Sequence, residues 1–141
     1  MRSLALVLLL GVAACAHGSA GDSKAAVSTS SANIVAAVAD KARPSADTDL
    51  DVYRKPADML AFADAKPGEK IGELIPGAGY MTRLFSKAVG PTGKVYVFAS
   101  APVAREGQPP PPAPVAAITG DKANYANVSV IITDFTKIPS P

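Results

Sequence analysis

The clearest periodic signal lies between Tyr80 and Val89. Apolar side chains fall at Met81, Leu84, Phe85, Ala88 and Val89, the spacing of one helical face, and Thr82, Arg83, Ser86 and Lys87 occupy the opposite face. Apolar runs flank this helix. Ile71 to Ile75 precedes it as a strand candidate, and Val95 to Ala99 follows as a second, apolar throughout in the manner of a buried parallel strand. Val128 to Thr133, rich in β-branched residues, is a third. Turn signals separate these elements: Lys66-Pro67-Gly68, Pro76-Gly77-Ala78-Gly79 and Gly90-Pro91-Thr92-Gly93. Strand, glycine loop, helix, turn and strand in that order predict a βαβ unit with a right-handed crossover, and so an α/β fold.

Upstream, Ile34, Val35, Val38 and Ala39 predict a short helix that begins near Ser31 and ends near Arg43, because the residue before Pro44 is pushed out of the helical region. Ser45 to Arg54 predicts a second helix, with Asp47, Asp49 and Asp51 complementing its positive end. A third begins at Pro56 and offers Met59, Leu60 and Phe62 as its apolar side. Downstream, residues 101–114 carry four consecutive prolines at 109–112 and predict an extended surface loop. Val115 to Thr119 predicts one or two helical turns.

Composition narrows the chemistry. The chain has 141 residues, room for one domain, and a net charge of only +2, with no basic run of the kind a nucleic-acid partner requires. It contains one cysteine, Cys15, and one histidine, His17, both ahead of the predicted elements. That leaves no Cys/His zinc site, no Cys-His pair and no Ser-His-Asp triad for the body of the chain.

The front end reads as an export signal. Arg2 precedes an apolar run from Ser3 to Ala14, too short to span a bilayer and suited to the hydrophobic segment of a signal peptide. Two cleavage patterns fit. Ala13-Ala14-Cys15-Ala16 has the small residues that a general signal peptidase accepts, and Val12-Ala13-Ala14-Cys15 resembles a bacterial lipobox. The lipobox resemblance implies that Cys15 is lipidated and that Ala16 sorts the chain to the outer membrane, so that lipid attaches it to the membrane facing the periplasm. The expected organisation is a signal over 1–15, a flexible tether over 16–31 and a folded body over 32–141 that includes the proline-rich loop.

The loop after the first strand holds the candidate chemistry. Glycines there let the chain turn tightly and let a ligand approach, while the helix start presents free N–H groups. Gly77 and Gly79 form G-x-G, but Thr82 stands where a dinucleotide fingerprint has its third glycine, and no Gly-Lys-Ser/Thr follows as in a P-loop. A plain glycine turn joining strand to helix has the same local sequence. The run Glu73-Leu74-Ile75-Pro76-Gly77-Ala78-Gly79-Tyr80, an acid followed by glycines at alternate positions, resembles the first motif of class I S-adenosylmethionine-dependent methyltransferases. Lys55 to Ala63, Lys66-Pro67-Gly68 and Ala88 to Tyr96 resemble an exported bacterial group of such proteins, and the likeness runs from about Ile34 to Thr133.

The resemblance implies a Rossmann-like fold of which the chain supplies strands one to three of a mostly parallel sheet with flanking helices, truncated before strand four. It implies S-adenosylmethionine as cofactor, with Glu73 holding the donor's amino end and Gly77, Ala78, Gly79 and Tyr80 forming the loop beside it. Ser100, at the end of the second strand, stands where the family has a ribose-gripping acid, and Ile75 stands where the pattern has its first glycine. No catalytic residue and no metal ligand is assigned, the methyl acceptor is open, and weak activity is expected. A non-enzymatic envelope lipoprotein using the same partial fold as a binding or scaffold module is the alternative reading.

Overall fold

The structure, a computed structural model, describes residues 32–135. The proposed signal and tether, with Cys15 and His17, lie outside the described residues. Helix α1 covers 32–38 and is followed by α2 (Ser45–Thr48), α3 (Asp51–Arg54), α4 (Pro56–Phe62), β1 (Lys70–Leu74), α5 (Tyr80–Val89), β2 (Lys94–Ser100), α6 (Ala116–Gly120), α7 (Lys122–Tyr125) and β3 (Val128–Thr133). The three strands form one open sheet of order β1-β2-β3, parallel throughout. The predicted α/β class is therefore the observed one. Among the described residues no helix is long and apolar enough to cross a membrane.

Paired positions in parallel strands point to one face, and residues alternate between faces. Ile71, Val95 and Val128 stand in register, as do Glu73, Val97 and Val130. On this face Val95, Val97, Ala99 and Val128 join Val89, Val115, Ile118 and Tyr125 in the main core cluster, so α5, α6 and α7 cover it. A second cluster, of Ala37, Leu60, Ala65, Tyr80, Leu84 and Ala88, fastens α1 and α4 to the outer side of α5.

That double coverage corrects the predicted helix faces. Thr82 and Ser86, expected on the polar side of α5, are buried, because the helix is enclosed by the sheet on one side and by other helices beyond it. Their hydroxyls are satisfied in place: Thr82 donates to Glu73, and Ser86 donates to Asn127 Oδ1 at 2.5 Å. The Asn127 amide in turn donates to the carbonyls of Ser86 and Gly90, closing the carboxyl end of α5.

Four other expectations change. The predicted helix from Ser45 to Arg54 is two single turns, α2 and α3, whose acids serve tertiary ion pairs. On α4 only Leu60 of the expected apolar trio is buried; Met59 is 47% and Phe62 90% exposed. Strand β2 is buried on alternate residues rather than throughout, since the described residues cover only one face of the sheet. Helix α7 adds an element beyond the predicted turns, and Asp121 caps it by accepting from the Asn124 N–H at 3.2 Å.

Candidate functional site

Open α/β sheets take ligands outside the carboxyl ends of their strands. Here that end carries the loop Ile75 to Gly79 and the last residue of β2, Ser100. The loop closes through the Gly79 N–H, which donates to the Pro76 carbonyl at 2.9 Å. Gly79 then starts α5 by accepting from the Arg83 N–H at 3.1 Å, and no side chain caps that start. The unbonded N–H groups of a first helical turn let such a loop donate hydrogen bonds to carboxylate or phosphate oxygens.

The two glycines do different work. Gly77 has φ +58, and a Cβ built there meets nothing within 4 Å, so its face of the loop is open. Gly79 has φ +86, and a Cβ there would lie 2.2 Å from Ile118 Cδ1 and 3.2 Å from Val115 Cγ2. The second glycine is thus required by the close approach of α6 as well as by its left-handed backbone. Ala78 contributes its carbonyl, which accepts from Arg83 Nη1 at 3.2 Å, and the same nitrogen reaches Asp47 Oδ2 at 2.9 Å. A guanidinium therefore ties the loop to α2.

Glu73 sits half-buried on the covered face of β1, two positions before the loop. Its Oε2 accepts from the Thr82 hydroxyl at 2.5 Å. Burial pushes its carboxyl above the usual range, and the Thr82 hydrogen bond pulls the other way. This carboxylate braces β1 against α5 in the structure as it stands. Tyr80, 5% exposed, is committed to the helical layer. Its hydroxyl donates to Asp51 Oδ1 at 2.7 Å, and the Arg43 and Arg54 guanidiniums lie 5.5 and 4.6 Å from its ring centroid. Burial, reinforced by Asp51, drives its hydroxyl up to about 12.

Asp51 is the hub of this network. Arg43 grips both its oxygens, at 2.9 and 2.6 Å, while also donating to the Val38 carbonyl at 2.7 Å. The guanidinium beside it holds the Asp51 carboxyl below the usual range. Sequence reasoning missed this arrangement, along with Thr82 and Ile118, because the partners lie on separate elements: Arg43 precedes α2, Asp51 opens α3 and Tyr80 opens α5.

Ser100 stands exposed at the carboxyl end of β2, in register with Thr133. Both offer hydroxyls rather than the bidentate grip of a carboxylate. A separate cleft of about 460 Å³ lies at the opposite end of the sheet, lined by Gly90, Gly93, Lys94, Asn124 and Asn127 among others, and belongs to the α5–β2 turn rather than to the loop.

No family model matches the sequence, and a search of curated proteins found no match. Solved structures do give matches. One is a protein-L-isoaspartate O-methyltransferase, 20% identical over 55% of this chain and 22% of that one, with TM-score 0.42. Another is Aeropyrum pernix fibrillarin in complex with natively bound S-adenosyl-L-methionine, 20% identical over 50% of this chain and 26% of that one, with TM-score 0.38. A third is a SAM-dependent methyltransferase from Aquifex aeolicus, 29% identical over 72% of this chain and 52% of that one, with TM-score 0.44. The chain thus spans from about a quarter to about half of the length of these proteins.

Proposed function

We propose that this chain is a class I S-adenosylmethionine-dependent methyltransferase by lineage, that the loop Pro76 to Gly79 is its donor site, and that it holds the donor weakly. The observation that carries the reading is the open face at Gly77: a left-handed glycine with no neighbour within 4 Å, at the carboxyl end of β1 and just ahead of an uncapped helix. On this reading a nucleoside-bearing ligand lies against the open face at Gly77, with its carboxylate toward the start of α5. The side-chain anchors are poorer, since Glu73 is engaged by Thr82 and β2 ends in Ser100 rather than an acid. Bound there, S-adenosylmethionine supplies a methyl group on a sulfonium. What this chain contributes is positioning, with Arg83 and Asp47 holding the loop and Thr82 holding the strand end.

The test is calorimetry of the full chain, in mild detergent, with S-adenosylmethionine and S-adenosylhomocysteine. Gly77→Ala is the informative variant, because its added methyl meets no protein atom and falls on the open face. Micromolar binding that Gly77→Ala weakens about tenfold supports the donor site. A folded chain that binds neither compound rejects it and leaves a non-enzymatic role. For the cell envelope we propose lipid attachment at Cys15, on the strength of Val12-Ala13-Ala14-Cys15 alone. Mass spectrometry of the membrane fraction tests it: an acylated Cys15 supports the anchor, and release of the wild-type chain as a soluble, unmodified species rejects it.

A further inference from the structure

Among the described residues, three other than glycine have positive φ: Lys55 at 46°, Asp64 at 51° and Ile75 at 56°. The first two belong to helix ends. Lys55 closes α3 in a left-handed cap, and Asp64 follows the end of α4, with a side chain type that tolerates this region. Ile75 has neither excuse. A β-branched side chain crowds its own backbone at positive φ, and the proline that follows biases its neighbour toward extended geometry. Both local preferences are overridden at this one position. Burial does not compensate, since Ile75 is 75% exposed. Its N–H is held by the Phe98 carbonyl at 3.0 Å, one step beyond the β1 ladder, and the loop turns immediately after it. Strain of this kind, held by its surroundings and presented to solvent, collects at ligand sites.

We infer that Ile75 is an affinity-limiting residue of the loop: it holds a left-handed backbone suited to glycine and exposes a branched apolar side chain two residues before the open face at Gly77. The inference rests on the donor-site reading above and adds that the chain's own side chain limits how tightly a nucleoside ligand is held. Strain and bulk are separable by substitution. Ile75→Gly removes both, whereas Ile75→Asn relieves the backbone, because asparagine tolerates the left-handed region, and keeps a side chain in place.

The experiment measures thermal midpoints and S-adenosylhomocysteine calorimetry on the full chain and both variants. Ile75→Gly is expected to raise the midpoint by about 4 °C. It is also expected to tighten binding by about tenfold. Ile75→Asn is expected to raise the midpoint without matching that gain in affinity. A midpoint that falls in both variants overturns the strained conformation. Equal, measurable affinity in the parent chain and Ile75→Gly overturns the role of Ile75 while leaving the donor site standing. Folded parent and variants that all fail to bind overturn the donor-site reading and this inference with it.

Discussion

The two faces of the sheet are built from the same three strands and have opposite fates. On one face Val95 and Val97 are fully buried and Val128 is 2% exposed, under α5, α6 and α7. On the other, Leu74 is 66% and Ile131 39% exposed, and Gly72 leaves the Phe98 ring lying 3.7 Å from where its Cβ would be. Neighbouring residues of one strand, such as Val97 and Phe98, therefore differ in environment more than residues on different strands. What the sheet contributes to the core of the described body comes from one face, and the helices on that side also constrain the glycine loop.

The largest effect expected from this asymmetry is at Gly79, where the loop meets the covered side. Gly79→Ala drives a methyl into Ile118 and Val115, both buried, and forces a left-handed alanine; it is expected to destabilise by about 3 kcal/mol. Gly77→Ala, with the same backbone problem but open space, is expected to lose only about 1 kcal/mol. Chemical denaturation of the pair measures the difference, and equal losses would remove α6 as the reason for the second glycine.

Next in size is a direct comparison of faces. Val97→Ala leaves a gap under α5 and is expected to destabilise by about 2 kcal/mol. Leu74→Ser, on the uncovered face, is expected to stay within about 0.5 kcal/mol of the parent chain. A large loss at Leu74 in equilibrium unfolding would mean that the second face is covered in solution.

The smallest effects are those of pH, and two carboxylates act in opposite directions. Asp51, held low by Arg43, contributes stability that is present above the unfolded carboxylate range and is lost as pH falls through its folded value. Glu73, pushed up by burial, contributes in the other sense: its share is full below the unfolded value and is lost as pH rises through the folded one. Glu73→Gln is therefore expected to melt higher than the parent chain at pH 7, with the gap closing toward pH 4. A gap that widens on acidification would show that Thr82 stabilises the charged carboxylate more than burial opposes it.

Much of this architecture was legible in the chain. The helical period of Met81 to Val89 and the short, β-branched runs Val95 to Ala99 and Val128 to Thr133 marked α5, β2 and β3 to within a residue or so, the runs being assigned as strands by their length, composition and flanking turns. The loop was legible from Gly77 and Gly79. What was not legible was the partner of each polar group. Nothing local in Glu73 points to Thr82, nor in Tyr80 to Asp51, which is 29 residues away in sequence.

Sequence alone, then, determined the order of the three strands and of α5 between the first two, the α/β class and the position of the glycine loop, because these follow from side-chain pattern and from the few residues that permit a tight turn. Tertiary structure decided which face of each element is covered, why Gly79 rather than Gly77 tolerates no side chain, and that Ile75 is held left-handed. Those outcomes depend on which distant surfaces meet, and a preference written into one residue yields when the packing of α5, α6 and the sheet around it is worth more.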